Sequence, residues 1–337
     1  MGPHRRTLAL LDRPRVLRTT TALAALALVW IGFGIATEYF LTKNNLLNIM
    51  QQSANIAIVA AGLTVVLIVA EIDLSVGSLE ALAGAVAAVL LIKEGVPLVV
   101  GIVLAVLAGI AMGVVSGAAT AVLRIPSFVA TLAMLGIAQG AAFLLVGGSP
   151  INGFSDGFRW IGIGRWGDIP VSALLALLIV IAIHLLLYHT RLGQHMFAVG
   201  GNAQAAALQG IKVARIRTIA LALSGATAAI GGVILSARLN AGDGRFGAGD
   251  LLIAVAAVVI GGTSLFGGVG SVVASTIGVL LIVSIRTGLI LLGVQDFWQQ
   301  IVIGLMILAA MLVDRIADSD LWRRLAPGRG RAAPGGA

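Results

Sequence analysis

Glu71, Asp73 and Glu80 stand inside an otherwise apolar region: "AAGLTVVLIV" ends just before Ala70, and "LEALAGAVAAVLL" encloses Glu80. A carboxylate in hydrocarbon costs about 3 kcal/mol even on lenient insertion scales, so such groups face a cavity, a partner or an interface. The stretch "AEIDLSVGS" (70–78) therefore has three readings. Asp73 or Ser75 caps a helix that starts near Leu74. Glu71 and Asp73 form a proton or sodium site. Or the helix is interrupted here, and its freed backbone groups border a polar path.

Enzyme chemistry finds little support. His4, His184, His189 and His195 lack the spacing of an HExxH metal site, and the absence of cysteine removes thiolate ligands and disulfides alike. None of the three lysines, Lys43, Lys93 and Lys212, follows a glycine, so there is no phosphate-binding loop. "GGTSLFGGVGS" (261–271) is glycine-rich but follows no strand; close helix packing or a broken helix is the better reading. Catalytic and metal-ligating residues are thus expected to be none.

Other polar residues interrupt the apolar runs. Asn48, Gln52 and Asn55 fall at i, i+4 and i+7 with Gln51 beside them, a stripe on one helix; Thr131 and Gln139 share a face of another. Each suits either hydrogen bonding between helices or the lining of a polar solute path. The pathway candidates are Gln51, Gln52, Asn55, Glu71, Asp73, Ser75, Thr131, Gln139 and Arg286. Arg286, toward the outer end of its helix, either snorkels to the interface or pairs with an acidic residue across a cavity, Glu80 being the candidate.

These residues need a membrane bundle to position them. Hydrophobic residues make up 59% of the chain and charged residues 11%, against about 25% charged in a soluble domain. The net charge of +8 is concentrated at the ends: Arg5, Arg6, Arg13, Arg15 and Arg18 precede the first apolar run, and Arg315, Arg323, Arg324, Arg329 and Arg331 follow the last. Basic tails beside an anionic leaflet explain this better than nucleic acid.

Runs at 19–37, 46–70, 74–92, 98–123, 127–146, 171–188, 214–236, 251–265, 271–292 and 297–313 give about ten spans, the 251–265 run being short for the purpose. The first is expected to be an uncleaved helix, since no small-residue cleavage site follows it. An even count puts both termini on one side. Loop 189–213 with the start of the next helix carries Arg191, Lys212, Arg215 and Arg217 and no carboxylate, so it is cytoplasmic with the termini. The opposite loops balance their charges, 237–250 among them with Arg238, Asp243, Arg245 and Asp250. The fold expected is an all-α polytopic membrane protein with room for broken helices. Residues 1–18 form a basic cytoplasmic tail, 19–314 the transmembrane domain, and 315–337 a disordered cytoplasmic tail. Gly109, Gly113 and Gly117 make one small-residue face, and Ser224, Ala228, Gly232 and Ser236 another, both suited to close helix packing.

Two loops invite partners. In 189–213, Asn202 is a good N-cap, 203–209 is helix-compatible and Gly210 suits the C′ position, which predicts a short helix on the cytoplasmic face. Its length suits docking of a cytoplasmic protein. Outer loop 147–170 carries Asp156, Arg159 and Asp168 for docking on the other side, while Trp160 and Trp166 suit an interfacial aromatic belt.

In sequence the chain resembles the ribose/xylose-type sugar permeases of ATP-binding cassette importers, within the branched-chain amino acid/ribose permease superfamily. The resemblance rests on "EIDLSVGS" (71–78), "IPSFVATLAMLGIAQG" (125–140), "TRLGQHMFAVGGNAQAAALQGIKV" (190–213), "AAVVIGGTSLFGGVGS" (256–271) and "LLGVQDFWQQIVIGLMILAAMLVD" (291–314), in family order over nearly the whole chain. Departures fall at Ala70-Glu71, at Ser116, and at Arg286-Thr287-Gly288-Leu289.

The resemblance implies a multi-pass protein of a bacterial inner membrane that imports a sugar, a pentose first, by alternating access. It implies no cofactor in this chain: ATP and magnesium belong to a partner ATPase seated on loop 189–213, at Gly201, Asn202, Ala203, Ala206 and Gly210. An extracytoplasmic solute-binding protein and a second permease copy, a homodimer by preference, complete the assembly in lipid. The rivals are a permease for nucleosides or another polar solute, an ion-coupled transporter using Glu71 and Asp73, and, weakest, an intramembrane enzyme.

Overall fold

The computed structural model describes residues 3–318; residues 1–2 and 319–337 of the two expected tails lie outside the described residues. In chain order the helices are α1 (Pro3–Ala36), α2 (Lys43–Ile68), α3 (Val76–Ala88), α4 (Leu98–Ala121), α5 (Ser127–Val146), α6 (Asp156–Ile163), α7 (Val171–His189), α8 (Arg191–Gly201), α9 (Ala203–Leu208), α10 (Val213–Leu239), α11 (Asp250–Ile260), α12 (Val272–Leu291) and α13 (Asp296–Asp318). A π turn, Val89–Lys93, extends α3. The strands are two-residue pairings: β1 (Ile151–Asn152) with β4 (Ala241–Gly242), and β2 (Arg165–Trp166) with β3 (Ile169–Pro170).

Eight of the described helices are long and apolar enough to cross a membrane, and α11 and part of α13 are shorter apolar helices. Prolines 97, 126 and 170 stand immediately before α4, α5 and α7. Their fixed φ suits a helix start, and the missing N–H costs no helical hydrogen bond there. At the other end of α5, Gly147 takes the left-handed conformation (φ +69°) that closes the helix.

The long α10 packs on α2, α3 and α4. Both expected small-residue faces meet it or belong to it. A side chain added at Gly113 or Gly117 of α4 would strike the α10 backbone at Ala222 or Thr218. The opposite face of α10 lies on α2 and α3, with Ser224 beside Gly62 and Gly232 against the Glu80 backbone. Dispersion at such close backbone approach holds helices together where hydrophobic drive is absent. Loop 261–271 serves packing likewise: Gly268 N–H donates to Ile68 O at 2.8 Å, against the end of α8.

Candidate functional site

The segment between α2 and α3 is a true interruption. α2 stops at Ile68 and α3 starts at Val76. Ala70 adopts φ +60°, and the N–H groups of Ala70 and Glu71 close the end of α2 on Leu67 O and Val66 O at 3.0 and 3.1 Å. Residues 71–75 then run without helical bonds. α5 supplies what the backbone lacks: Ile72 N–H donates to Ser127 Oγ, and Thr131 Oγ1 accepts from Leu74 N–H and lies 3.1 Å from Ile72 O. Asp73 accepts from the Ser75 backbone at 2.9 Å and its hydroxyl at 2.6 Å. Ser75 occupies the N-cap position of α3 but makes no side-chain cap bond.

The neighbours of this segment set its position along the bundle. Glu71 forms an ion pair with Arg217 near the start of α10, at 2.7 Å. Glu80 lies against Gly231 and Gly232. Those contacts are fourteen or so residues apart on α10, about 21 Å at 1.5 Å per residue. Nine residues of helix would cover only ~13 Å. Five residues at a strand-like ~3.3 Å rise plus one helical turn cover the distance. The break therefore starts near the α8 end of the bundle, at Glu71, and runs inward to α3.

Beyond it is a cavity of about 220 Å³. It lies in the half of the bundle away from α8 and α9, among α2, α10, α11, α12 and the turn 243–249. Gln52, Asn55, Arg238, Asp250 and Arg286 line it, with Phe246 from the turn. Asn55 Nδ2 donates to Asp250 Oδ2 at 2.7 Å. Gln52 Nε2 donates to Asn48 Oδ1 one helical turn away, and Arg286 Nε to Gln299 Oε1 at 3.3 Å. A space walled by three guanidiniums (Arg238, Arg245 and Arg286), a carboxylate and two amides offers many donors and acceptors to a neutral polar solute. No group of three or more metal-ligating side chains gathers among the described residues.

Of the expected pathway residues, Gln52, Asn55 and Arg286 meet here. Gln51 turns aside and donates to Gly162 O of α6 at 2.7 Å. Gln139 donates to Gly244 O, holding the turn to α5. Glu71, Asp73, Ser75 and Thr131 belong to the break. The expected pairing of Arg286 with Glu80 is not made: Arg286 bonds to Gln299, and both carboxylate oxygens of Glu80 are buried without a hydrogen-bond partner.

Sequence reading missed Arg238 and Asp250 by counting them as outer-loop charges. The signal was present in α11, whose eleven residues span only ~17 Å against a hydrocarbon core of ~30 Å. The turn before so short a helix has to enter the bundle, and it does: Gly247 packs on Gly77 and Glu80.

At the other end, Asn202 Oδ1 accepts from Ala205 N–H at 2.9 Å, capping α9. Gly210 takes φ +83°, and the N–H groups of Gly210 and Ile211 close the helix on Ala207 O and Ala206 O. The expected short helix is there, preceded by α8, an amphipathic helix that no apolar run announces. Gly201, Asn202 and Gly210 are exposed and Ala203 half-buried, whereas Ala206 faces inward among Val65, Ile216 and Ala220. The exposed apolar residue is Leu208, 88% accessible. In the loops at the end away from α8 and α9, Asp156 pairs with Arg159 at 3.3 Å, and Asp168 with Lys43 at 2.8 Å. The Lys43 bond and charge hold the Asp168 carboxyl below its ordinary range.

Residues 45–311 match the family model described as the permease component of branched-chain amino acid transport systems. The chain is similar to the ribose import permease protein RbsC of Escherichia coli, 42% identical over 296 residues, 87% of this chain and 92% of that one. It is 36% identical to the xylose transport system permease protein XylH of Haemophilus influenzae, over 87% and 94% of the two chains. It is 35% identical to the D-allose transport system permease protein AlsC of Escherichia coli, over 86% and 90%. No solved structure matches the chain.

Proposed function

Because the chain belongs to this permease family and is a multi-pass membrane protein, we propose that it is the transmembrane subunit of an ATP-driven importer for a sugar, with a pentose as the first candidate. The observation that carries the reading is the polar cavity within an apolar bundle, in a chain that matches sugar permeases over nearly their whole length. Its volume of about 220 Å³ is below the ~300–1,000 Å³ of sites for drug-sized ligands, which suits a monosaccharide better than a nucleoside. Gln52, Asn55 and Arg286, joined by Arg238 and Asp250, form the solute path, and the break at 71–75 continues it toward α8 and α9.

ATP is bound and hydrolysed by a partner seated on α8–α9, with Gly201, Asn202 and Leu208 outermost. A solute-binding protein docks at Asp156, Arg159 and Asp168, and a second copy of the chain completes the pore. The membrane is the bacterial inner membrane, with α8–α9 and both termini on the cytoplasmic side. An ion-coupled mechanism at Glu71 and Asp73 fits less well, because Arg217 and Ser75 already engage these carboxylates. Uptake should be measured in vesicles holding the complete transporter, with labelled ribose, xylose, allose and a nucleoside. Saturable uptake of one or more of the pentoses is expected; uptake of the nucleoside alone would contradict the sugar reading.

A further inference from the structure

Glu80 is the group that the solute path leaves unexplained. It is fully buried, and neither carboxylate oxygen has a hydrogen-bond partner. The Asn55 amide, which lies beside Glu80, donates to Asp250 at 2.7 Å. A charge-bearing group enclosed in this way is costly, and buried polar groups in native proteins are nearly always partnered. The packing around it is built for close approach. A methyl group added at Gly247 would stand 2.9 Å from Oε2, and one added at Gly231 would stand 3.0 Å from Oε1.

Gly231 belongs to the long central helix. Gly247 belongs to a turn that also lines the cavity, so Glu80 lies directly behind the cavity wall. In the turn, Gln139 donates to Gly244 O, Asp243 and Arg245 pair with each other, Phe246 N–H donates to Asp243 O, and Gly247 takes φ +74°. Arg238, Arg245 and Arg286 line the cavity; Asp243 neutralises Arg245 at 2.8 Å, which leaves two positive charges against the single carboxylate of Asp250. A second carboxylate would balance them and accept hydrogen bonds from sugar hydroxyls.

We infer that Glu80 is a second sugar-binding carboxylate, covered in this conformation by the 243–249 turn and uncovered when that turn lifts away from α3. This rests on the sugar-import reading and adds a ligand group and a moving part to it. The free energy of leaving Glu80 unpartnered favours opening, and a hydroxyl donor from the sugar supplies the missing bond. No covalent step is involved.

The test uses the full transporter, with its ATPase and solute-binding protein, in vesicles. Glu80→Gln keeps shape and packing but loses the charged acceptor. It should assemble normally and raise the KM for sugar about tenfold, with a changed ranking among pentose epimers. An unchanged KM and ranking would show Glu80 to be structural and overturn the inference. The absence of cysteine in the chain allows a second readout. A thiol at position 80 (Glu80→Cys) should react with a membrane-impermeant reagent only when loaded binding protein and ATP are both added, while one at the exposed position 166 (Trp166→Cys) reacts in every state. Labelling at 80 that never rises with turnover, while position 166 labels normally, would overturn the moving turn. If the unaltered transporter moves no sugar, the import reading itself fails, an outcome distinct from either of these.

Discussion

Ala70 shows how one residue type can oppose its own geometry. At φ +60° it ends α2 in a conformation that a residue with a Cβ adopts only at a cost of ~1 kcal/mol or more. The site needs that turn, since it swings the chain out of α2 and sets Glu71 against Arg217. Ala70→Gly should relieve the strain and raise the apparent melting temperature of the purified protein by about 2 °C. A lower midpoint would mean that the Ala70 methyl, packed beside Gly267, contributes more than the strain costs. Gln52, Asn55 and Arg286 were legible in the sequence because a polar residue inside an apolar run is conspicuous. Arg238 and Asp250 were not, since each stands at a helix end, where hydropathy cannot tell a loop from a cavity wall. Their meeting depends on a turn that folds back into the bundle, and nothing local to either residue encodes it.

At the scale of elements, helix ends were readable wherever a local signal sets them. The run 127–146 coincides with α5, bounded by Pro126 and by Gly147. The cap and closing glycine of α9 sit where Asn202 and Gly210 predicted. α8 escaped notice because it is amphipathic and only eleven residues long, so no span-length apolar run announces it. Its docking is nonetheless specific: Gly200 abuts Ile68 O and Gly268, with no room for a side chain, whereas a side chain at Gly201 meets nothing within 4 Å. The outward residues are therefore available to a partner. Leu208→Glu should leave expression and melting temperature unchanged and lower affinity for the ATPase at least tenfold, read by co-purification. Normal co-purification of this variant would place the ATPase contact elsewhere.

Across the whole molecule, hydropathy and charge described the bundle without describing its inside. The apolar runs correspond to helices, and the small-residue faces on α4 and α10 became the packing surfaces they suggested. The identity of the cavity wall is a property of the assembled bundle, because α2 is far in the chain from the consecutive α10, α11 and α12. In the proposed import cycle the polar cavity is part of a path, with the 243–249 turn at one end and the segment joining α2 to α3 toward the other. Such a path moves solute uphill only if something opens its two ends in turn, and the chain itself carries no phosphate-binding loop. The most direct measurement is sugar uptake into vesicles containing this chain with its ATPase and binding protein, with the proton and sodium gradients collapsed by ionophores. Uptake that persists, requires ATP and stops when the ATPase is omitted is the result predicted here. Uptake that continues without ATP, or that disappears with the gradients, would contradict it.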